Sequence, residues 1–292
     1  MADSKAGEMR LRLRARMARS GSPILLPGAA NALAARVVEE CGFEAVYVTG
    51  AGIANTFLGV PDIGLVTLDE LVAHTEAIAD AVKLPLVVDA DTGFGNAIGV
   101  MRAVRRLERA GASAIQLEDQ RFPKRCGHFD NKEVISSDEA ASKIAAAAEA
   151  RSDPGLVIIA RTDAAATEGL ASAVERARSY VLAGADAVFI EAPSTKEDLI
   201  ALPGLLPGVP MVANLVEGGK TPLVPIDELS GFTFVLYANA ALQGAVHGMR
   251  QVLVSLQEKG VLDPESVSLA RWDERQALVH KQEFDELESR FR

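Results

Sequence analysis

Two cysteines in 292 residues, Cys41 and Cys126, are too few for a disulfide framework and point to a reducing compartment, read here as the cytoplasm. No apolar run reaches the roughly 18 residues of a membrane span, which argues against a membrane partner. No basic block follows the N-terminus and the net charge is −10, which argues against nucleic acid as a partner. No His/Cys cluster has zinc spacing. No linker rich in Pro, Gly or Ser divides the chain. The first 20 residues carry Arg10, Arg12, Arg14 and Arg16 without an apolar signal core, and they contain Asp3 and Glu8. They read as a helix over one end of the fold rather than a secretory signal, with a transit peptide as the other reading.

What is present is a large apolar fraction, 49%, with 24% charged residues, enough for one large barrel or two ordinary domains. Short apolar runs alternate with helical periods. Eight stretches read as buried strands: Ile24–Leu26, Ala45–Val48, Leu86–Asp89, Ala114–Leu117, Leu156–Ala160, Ala187–Ile190, Met211–Ala213 and Phe234–Leu236. Between them, Val100, Ala103, Val104 and Leu107 keep one helical face, as do Leu170, Val174, Ala177 and Val181. Thr67 with Glu70, Ser136 with Glu139, and Ser194 with Glu197 have capping-box spacing. Gly111 and Gly184 suit the C′ position after a helix.

Eight β–α units predict a single (β/α)₈ TIM-type barrel over residues 1–292, with a doubly wound sheet as the rival. Residues 1–20 form an N-terminal helix and residues 260–292 a C-terminal helical extension. That extension either packs on a neighbouring subunit or is a solvated amphipathic tail, with Trp272 as a candidate interface anchor.

Active sites of such barrels lie at the C-terminal strand ends. Strand 2 runs into Thr49-Gly50-Ala51-Gly52, whose amides suit a carboxylate. Strands 3 to 7 end at Asp89-Ala90-Asp91, Glu118-Asp119, Arg161-Thr162-Asp163, Glu191 and Asn214. Each alone has a bland explanation in a turn, a cap or a salt bridge. At successive strand ends they form a rim for a hard cation and an anionic substrate. Asp89 and Asp91, two apart, face one side if the chain stays extended. With Glu118 they suit Mg²⁺, Mn²⁺ being a substitute, through one or two direct carboxylates and water.

The loop Lys124-Arg125-Cys126-Gly127-His128 sets a thiol between two cations and a histidine, which lowers a thiol pKa. Cys126 is thus a candidate proton donor or acceptor, unless the loop is simply a basic surface segment. Cys41, at a helix end, reads as a buried structural thiol. His247 reads as packing. His74 and His280 have no partner recognisable in sequence.

Asp89-Ala90-Asp91-Thr92-Gly93-Phe94-Gly95, Glu118-Asp119-Gln120, Lys124-Arg125-Cys126-Gly127-His128 and Ala160-Arg161-Thr162-Asp163-Ala164 together resemble the isocitrate lyase / phosphoenolpyruvate mutase superfamily over roughly residues 20–260. The cysteine loop resembles the lyase branch; the phosphonate branch typically lacks it. The resemblance implies Mg²⁺-dependent retro-aldol cleavage of a 2-hydroxy di- or tricarboxylate. The 2-hydroxyl loses a proton, the C2–C3 bond breaks, and a 2-oxo acid leaves. Cys126, on a loop that closes over substrate, then protonates the remaining fragment, with His128 and Gly127 beside it.

By the same resemblance Thr49, Gly50 and Ala51 hold the 2-oxo acid's carboxylate. Asp62, Asp89, Asp91 and Glu118 hold Mg²⁺ directly or through water. Arg161, Glu191 and Asn214 position the substrate, and Tyr47 is a candidate base. The resemblance also implies a homotetramer built from dimers that exchange a C-terminal helix.

Methylisocitrate lyases carry an arginine and a serine after strand 8. Here Tyr237-Ala238-Asn239-Ala240-Ala241-Leu242-Gln243 has neither. Loss of that cation removes a charge-assisted hydrogen bond of roughly 1.5–3 kcal/mol to a third carboxylate. Glu217-Gly218-Gly219-Lys220-Thr221-Pro222 resembles the 2-alkylmalate lyases instead. The expected substrate is a 2-alkylmalate such as 2,3-dimethylmalate. Methylisocitrate lyase and oxaloacetate hydrolase are the alternatives; phosphonate chemistry or a carboxylate-binding barrel without chemistry is more distant.

Overall fold

A computed structural model describes residues 4–19, 21–124, 132–216, 218, 223–262 and 268–292. Eight parallel strands close into a barrel in chain order. They are β1 (Ile24–Ala29), β2 (Val46–Val48), β3 (Leu86–Asp89), β4 (Ala114–Glu118), β5 (Val157–Thr162), β6 (Ala187–Ile190), β7 (Met211–Asn214) and β8 (Phe234–Tyr237). Strand β1 pairs with both β2 and β8, with Gly28 opposite Tyr47 and Ile24 opposite Phe234. That closure rules out the doubly wound sheet, which would leave two edges.

Strand periodicity sorts the side chains into two layers. Tyr47, Val87, Ala114, Ile159, Phe189, Val212 and Phe234 pack together inside the barrel. Their neighbours Val46, Val88, Ile115 and Ile158 pack outward against one set of helices, and Val188 and Val235 against another. Stepping by two from the interior set toward the C-terminal mouth gives Thr49, Asp89, Gln116 then Glu118, Arg161, Glu191 and Asn214. The polar site residues are thus the inward-facing positions above an apolar plug.

Strands β4, β5, β7 and β8 run one or two residues past their expected ends, because the ladder continues with Glu118 opposite Arg161 and Asn214 opposite Leu236. Glu118, Arg161, Thr162 and Asn214 consequently sit on strands, not loops.

The helix Lys5–Met17 closes the opposite end, as its sequence suggests. Leu13 joins the interior cluster. Arg10 donates to the carbonyls of Glu108 and Ala112 and pairs with Asp153. Arg14 donates to the Leu156 carbonyl and to Asp186.

The Thr67–Glu70 capping box forms reciprocally. Ser136 accepts from the Glu139 amide without the returning bond. The third cap lies one residue later than expected, with Thr195 accepting from the Asp198 amide. Gly111 and Gly184 have φ of +105° and +106°, and a Cβ there would lie 2.7 Å and 2.9 Å from the methyls of Ala79 and Ala148. Only glycine fits either turn.

Some expectations are corrected. Cys41 is exposed, because it caps the end of the helix Ala32–Glu40 outside the core. His74 does have partners: its Nδ1 lies 2.8 Å from the Ala30 carbonyl and its ring meets Phe57 edge-on. His280 pairs with Glu283 at 3.1 Å.

After β8 the chain has little core of its own. The helix Ala240–Lys259 buries only Ser255, and the helices Trp272–Leu278 and Lys281–Arg290 bury nothing. Val246, Met249, Leu253, Trp272, Phe284 and Phe291 are exposed. Among the described residues no helix is long and apolar enough to cross a membrane.

Candidate active site

The inward-facing positions converge at the C-terminal mouth. Tyr47, Thr49, Ala51, Asp62, Asp89, Glu118, Lys124, Arg161, Glu191, Asn214 and Asn239 line one space on the barrel axis. Gly50 adjoins it, since a Cβ there would lie 3.5 Å from both Asp89 Oδ2 and Asp91 Oδ1. The sequence-derived site residues within the described chain are therefore brought together. Arg125, Cys126, Gly127 and His128 lie outside the described residues, as do Glu217 and Lys220. The axial space is about 40 Å³, room for little more than a water, so a dicarboxylate enters only if side chains there move. A second hollow of about 970 Å³, lined in part by Asp91, opens outboard of β3 and β4 and shares Lys124 with it.

Asp91 does not continue an extended strand. Its φ is +47°, and its amide donates to Asp89 Oδ1 at 3.2 Å, so the Asp-x-Asp stretch is a turn. The turn nevertheless keeps both carboxylates at the mouth. The carbonyl of Asp91 accepts from the Glu118 amide at 2.9 Å, which ties the turn to β4. Tyr47 donates to Gln116 Oε1 at 3.0 Å, and Gln116 donates onward to Asp89 Oδ1 at 3.3 Å. Burial first, then the Asp89 charge, raises the Tyr47 phenol well above 10. In this geometry the Tyr47 hydroxyl is a hydrogen-bond donor to Gln116.

Arg161 is the central cation. It grips Asp163 in a fork, Nε to Oδ2 at 2.9 Å and Nη2 to Oδ1 at 3.0 Å. Glu118 lies 3.4 Å from Nε and Glu191 3.5 Å from Nη1. The guanidinium also sits 5.1 Å from the Phe189 ring centroid, a cation–π contact from the plug below. Burial lowers the Arg161 pKa, but Asp163, Glu191 and Glu118 outweigh it and leave it raised. Behind this pair, Asp119 accepts from the Asp163 amide, Thr162 Oγ1 and the Tyr180 hydroxyl at 2.6–2.9 Å.

Negative charge is in excess. Among the described residues, Asp62, Asp89, Asp91, Glu118, Asp163 and Glu191 face Lys124, Lys132 and Arg161. Burial pushes Glu118 well above the carboxylate range against the pull of Arg161. It carries Asp91 to about 7, with Lys124 opposing. Asp91 Oδ1 and Glu118 Oε1 are buried with no aligned hydrogen bond, although Lys124 Nζ lies 2.7 Å from Asp91 Oδ1. Asn214 Oδ1 and Asn239 Oδ1 are likewise unpartnered acceptors. Buried acceptors without donors call for a cation or a donor-rich ligand.

Among the described residues no three His, Cys, Asp or Glu side chains are arranged to hold an ion directly. The Lys124 ammonium stands between Asp62 and Asp91 instead. Hard oxygens, excess charge and orphaned acceptors fit Mg²⁺, which needs only one or two direct carboxylates and keeps its waters.

Sequence reasoning missed several contributors. Gln116 carried a signal, being the polar residue at inward parity in an apolar strand. Lys132 and Asn239 carried none that separates them from ordinary loop residues, whereas Asp163 stands in the strand-5 motif and pairs with Arg161 as the structural reading of those two residues expects.

The sequence profile of the phosphoenolpyruvate phosphomutase family matches residues 13–257. The 2,3-dimethylmalate lyase of Eubacterium barkeri is 44% identical over 246 residues, covering 82% of this chain and 85% of that protein. The 2-methylisocitrate lyase of Aeropyrum pernix is 44% identical over 239 residues, covering 81% and 76%. A crystal structure of phosphonopyruvate hydrolase in complex with oxalate and Mg²⁺ superposes with a TM-score of 0.86 at 33% identity, covering 99% of each chain.

Proposed function

The chain belongs to the phosphoenolpyruvate mutase/isocitrate lyase superfamily, and from that membership we propose that it is a Mg²⁺-dependent carbon–carbon lyase acting on a 2-alkylmalate such as 2,3-dimethylmalate. Its products are pyruvate or another 2-oxo acid and a carboxylic acid. The observation that carries the substrate choice is the neutral β8 side of the axial space, formed by Leu236, Ala238 and Asn239. A third carboxylate there would meet no cation among the described residues, whereas an alkyl group loses nothing.

In this reading the turn at Thr49, Gly50 and Ala51 presents amides to the 2-oxo acid's carboxylate. Arg161 offers Nη1 to the substrate, with Glu191 and Asn214 fixing its orientation. Asp62, Asp89, Asp91 and Glu118 hold Mg²⁺ directly or through water, and the ion supplies Lewis acidity toward the substrate's oxygens. Cys126 gives the proton that ends the reaction.

The test is pyruvate release coupled to lactate dehydrogenase, with Mg²⁺, on 2,3-dimethylmalate and 2-methylisocitrate. Oxaloacetate needs a separate oxalate assay, because decarboxylation also yields pyruvate. Dimethylmalate is expected to give the highest kcat/KM. A tenfold preference for 2-methylisocitrate, about 1.4 kcal/mol of transition-state discrimination, would overturn the substrate choice. So would preferential oxalate formation from oxaloacetate.

The same reading includes a homotetramer built from dimers that exchange a C-terminal helix. Its support is the set of exposed apolar side chains Val246, Met249, Leu253, Trp272, Phe284 and Phe291, which the described residues leave uncovered. Light scattering is expected to give four times the chain mass; a monomer at micromolar concentration would sink the assembly.

A further inference from the structure

Lys132 is the first described residue after the cysteine segment, and its side chain is almost wholly buried. Its ammonium lies 2.6 Å from Asp163 Oδ1. The same carboxylate takes both hydrogen bonds of the Arg161 fork. Asp163 is therefore shared by two cations. Its backbone is fixed between them, because its amide is tied to Asp119 Oδ1 at 2.9 Å, and Asp119 is held in turn by Thr162 and Tyr180.

The charge consequence follows directly. A forked Arg–Asp pair presents little net charge to a ligand. A third member carrying a positive charge makes the group one unit more positive than the fork alone, and so offsets part of the negative charge that Glu118 and Glu191 bring to Arg161. Arg161 commits Nε and Nη2 to Asp163, and the remaining Nη1 borders that space at 3.5 Å from Glu191.

We propose that Lys132 is a positioning residue of the carboxylate site: by sharing Asp163 it leaves Arg161 less neutralised and aimed at the substrate. The inference rests on the reading of the axial space as a carboxylate site. Lys132 touches no reacting atom; it acts through Asp163 and Arg161.

The experiment compares the full-length wild type with Lys132→Met and Lys132→Arg at saturating Mg²⁺. It reads the calorimetric Kd of oxalate and the KM and kcat for the turned-over malate. Lys132→Met is expected to raise the oxalate Kd and the KM by at least about tenfold, as loss of a charge-assisted contact at the ligand should. The Kd for Mg²⁺ is expected to move far less, and Lys132→Arg is expected to recover most of the affinity. A merely structural role would lower the melting temperature without moving the oxalate Kd of the folded protein.

Oxalate Kd and KM within twofold of wild type in folded Lys132→Met would overturn the inference. Equal losses in Met and Arg variants would do so too, since shape rather than charge would then set the affinity. Should Lys132→Met not fold, Lys132→Gln carries the same readout. If the wild type neither binds oxalate nor releases pyruvate, the carboxylate-site reading falls and this inference with it. If the wild type does both and the Lys132 variants match it, this inference alone falls.

Discussion

Arg161→Met is expected to abolish pyruvate release and to destabilise the fold by about 3–5 kcal/mol, the usual cost of removing one partner from a buried ion cluster. Three carboxylates lean on this guanidinium. Asp163 keeps Lys132 after the substitution, but Glu118 and Glu191 lose the cation that lies within 3.4–3.5 Å of them. For a chain of this size the melting temperature should fall on the order of 10 °C.

The deficit should depend on pH with a definite sign. Burial already raises Glu118 well above its ordinary value, and Arg161 is the largest opposing influence. Without Arg161 the folded protein binds that proton more tightly still. A group whose folded pKa is raised stabilises the fold at low pH and loses that contribution as pH rises through the folded pKa. The gap between Arg161→Met and wild type should therefore widen as pH rises through the wild-type folded pKa of Glu118. Thermal melts across that pKa decide it; a variant that melts within a degree or two of wild type would mean that the cluster carries no stability.

Much of this site was legible without coordinates because a barrel imposes two simple rules. Interior positions recur every second residue along a strand, and function gathers at one rim. Asp89, Glu118, Arg161, Glu191 and Asn214 obey both, so their convergence followed from finding eight strands.

What escaped had other physical origins. The Lys132–Asp163 pair spans 31 residues and exists only because the segment after β4 folds back over β5. Of the two readings of the Asp-x-Asp stretch, extended or turn, the structure has the turn: a left-handed Asp91 bends it, and side-chain-to-amide bonding of this kind is what aspartate does in turns. The burial that raises the Tyr47 phenol is likewise something no linear pattern displays. The cap at Thr195 slipped by one because Ser194 and Thr195 have equally good spacing to an acid three residues on.

Cys126→Ser is expected to slow pyruvate release by about two to four orders of magnitude, the loss that follows removal of a positioned proton donor. A thiol titrates near 8.5, and lower beside cations, whereas a serine hydroxyl is a far weaker acid. The substitution keeps the size and a hydroxyl donor, so the loss should fall on proton delivery and not on binding. The flanking residues support that separation. Lys124 on one side is buried against Asp62 and Asp91, and Lys132 on the other is buried against Asp163. Calorimetry should accordingly find Mg²⁺ and oxalate binding to Cys126→Ser unchanged while turnover falls. If the rate is unchanged, the proton comes from elsewhere, and Cys126 leaves the mechanism. If binding falls together with rate, the thiol organises the site rather than donating to the substrate, and Lys124 and Lys132 become the residues whose placement it controls.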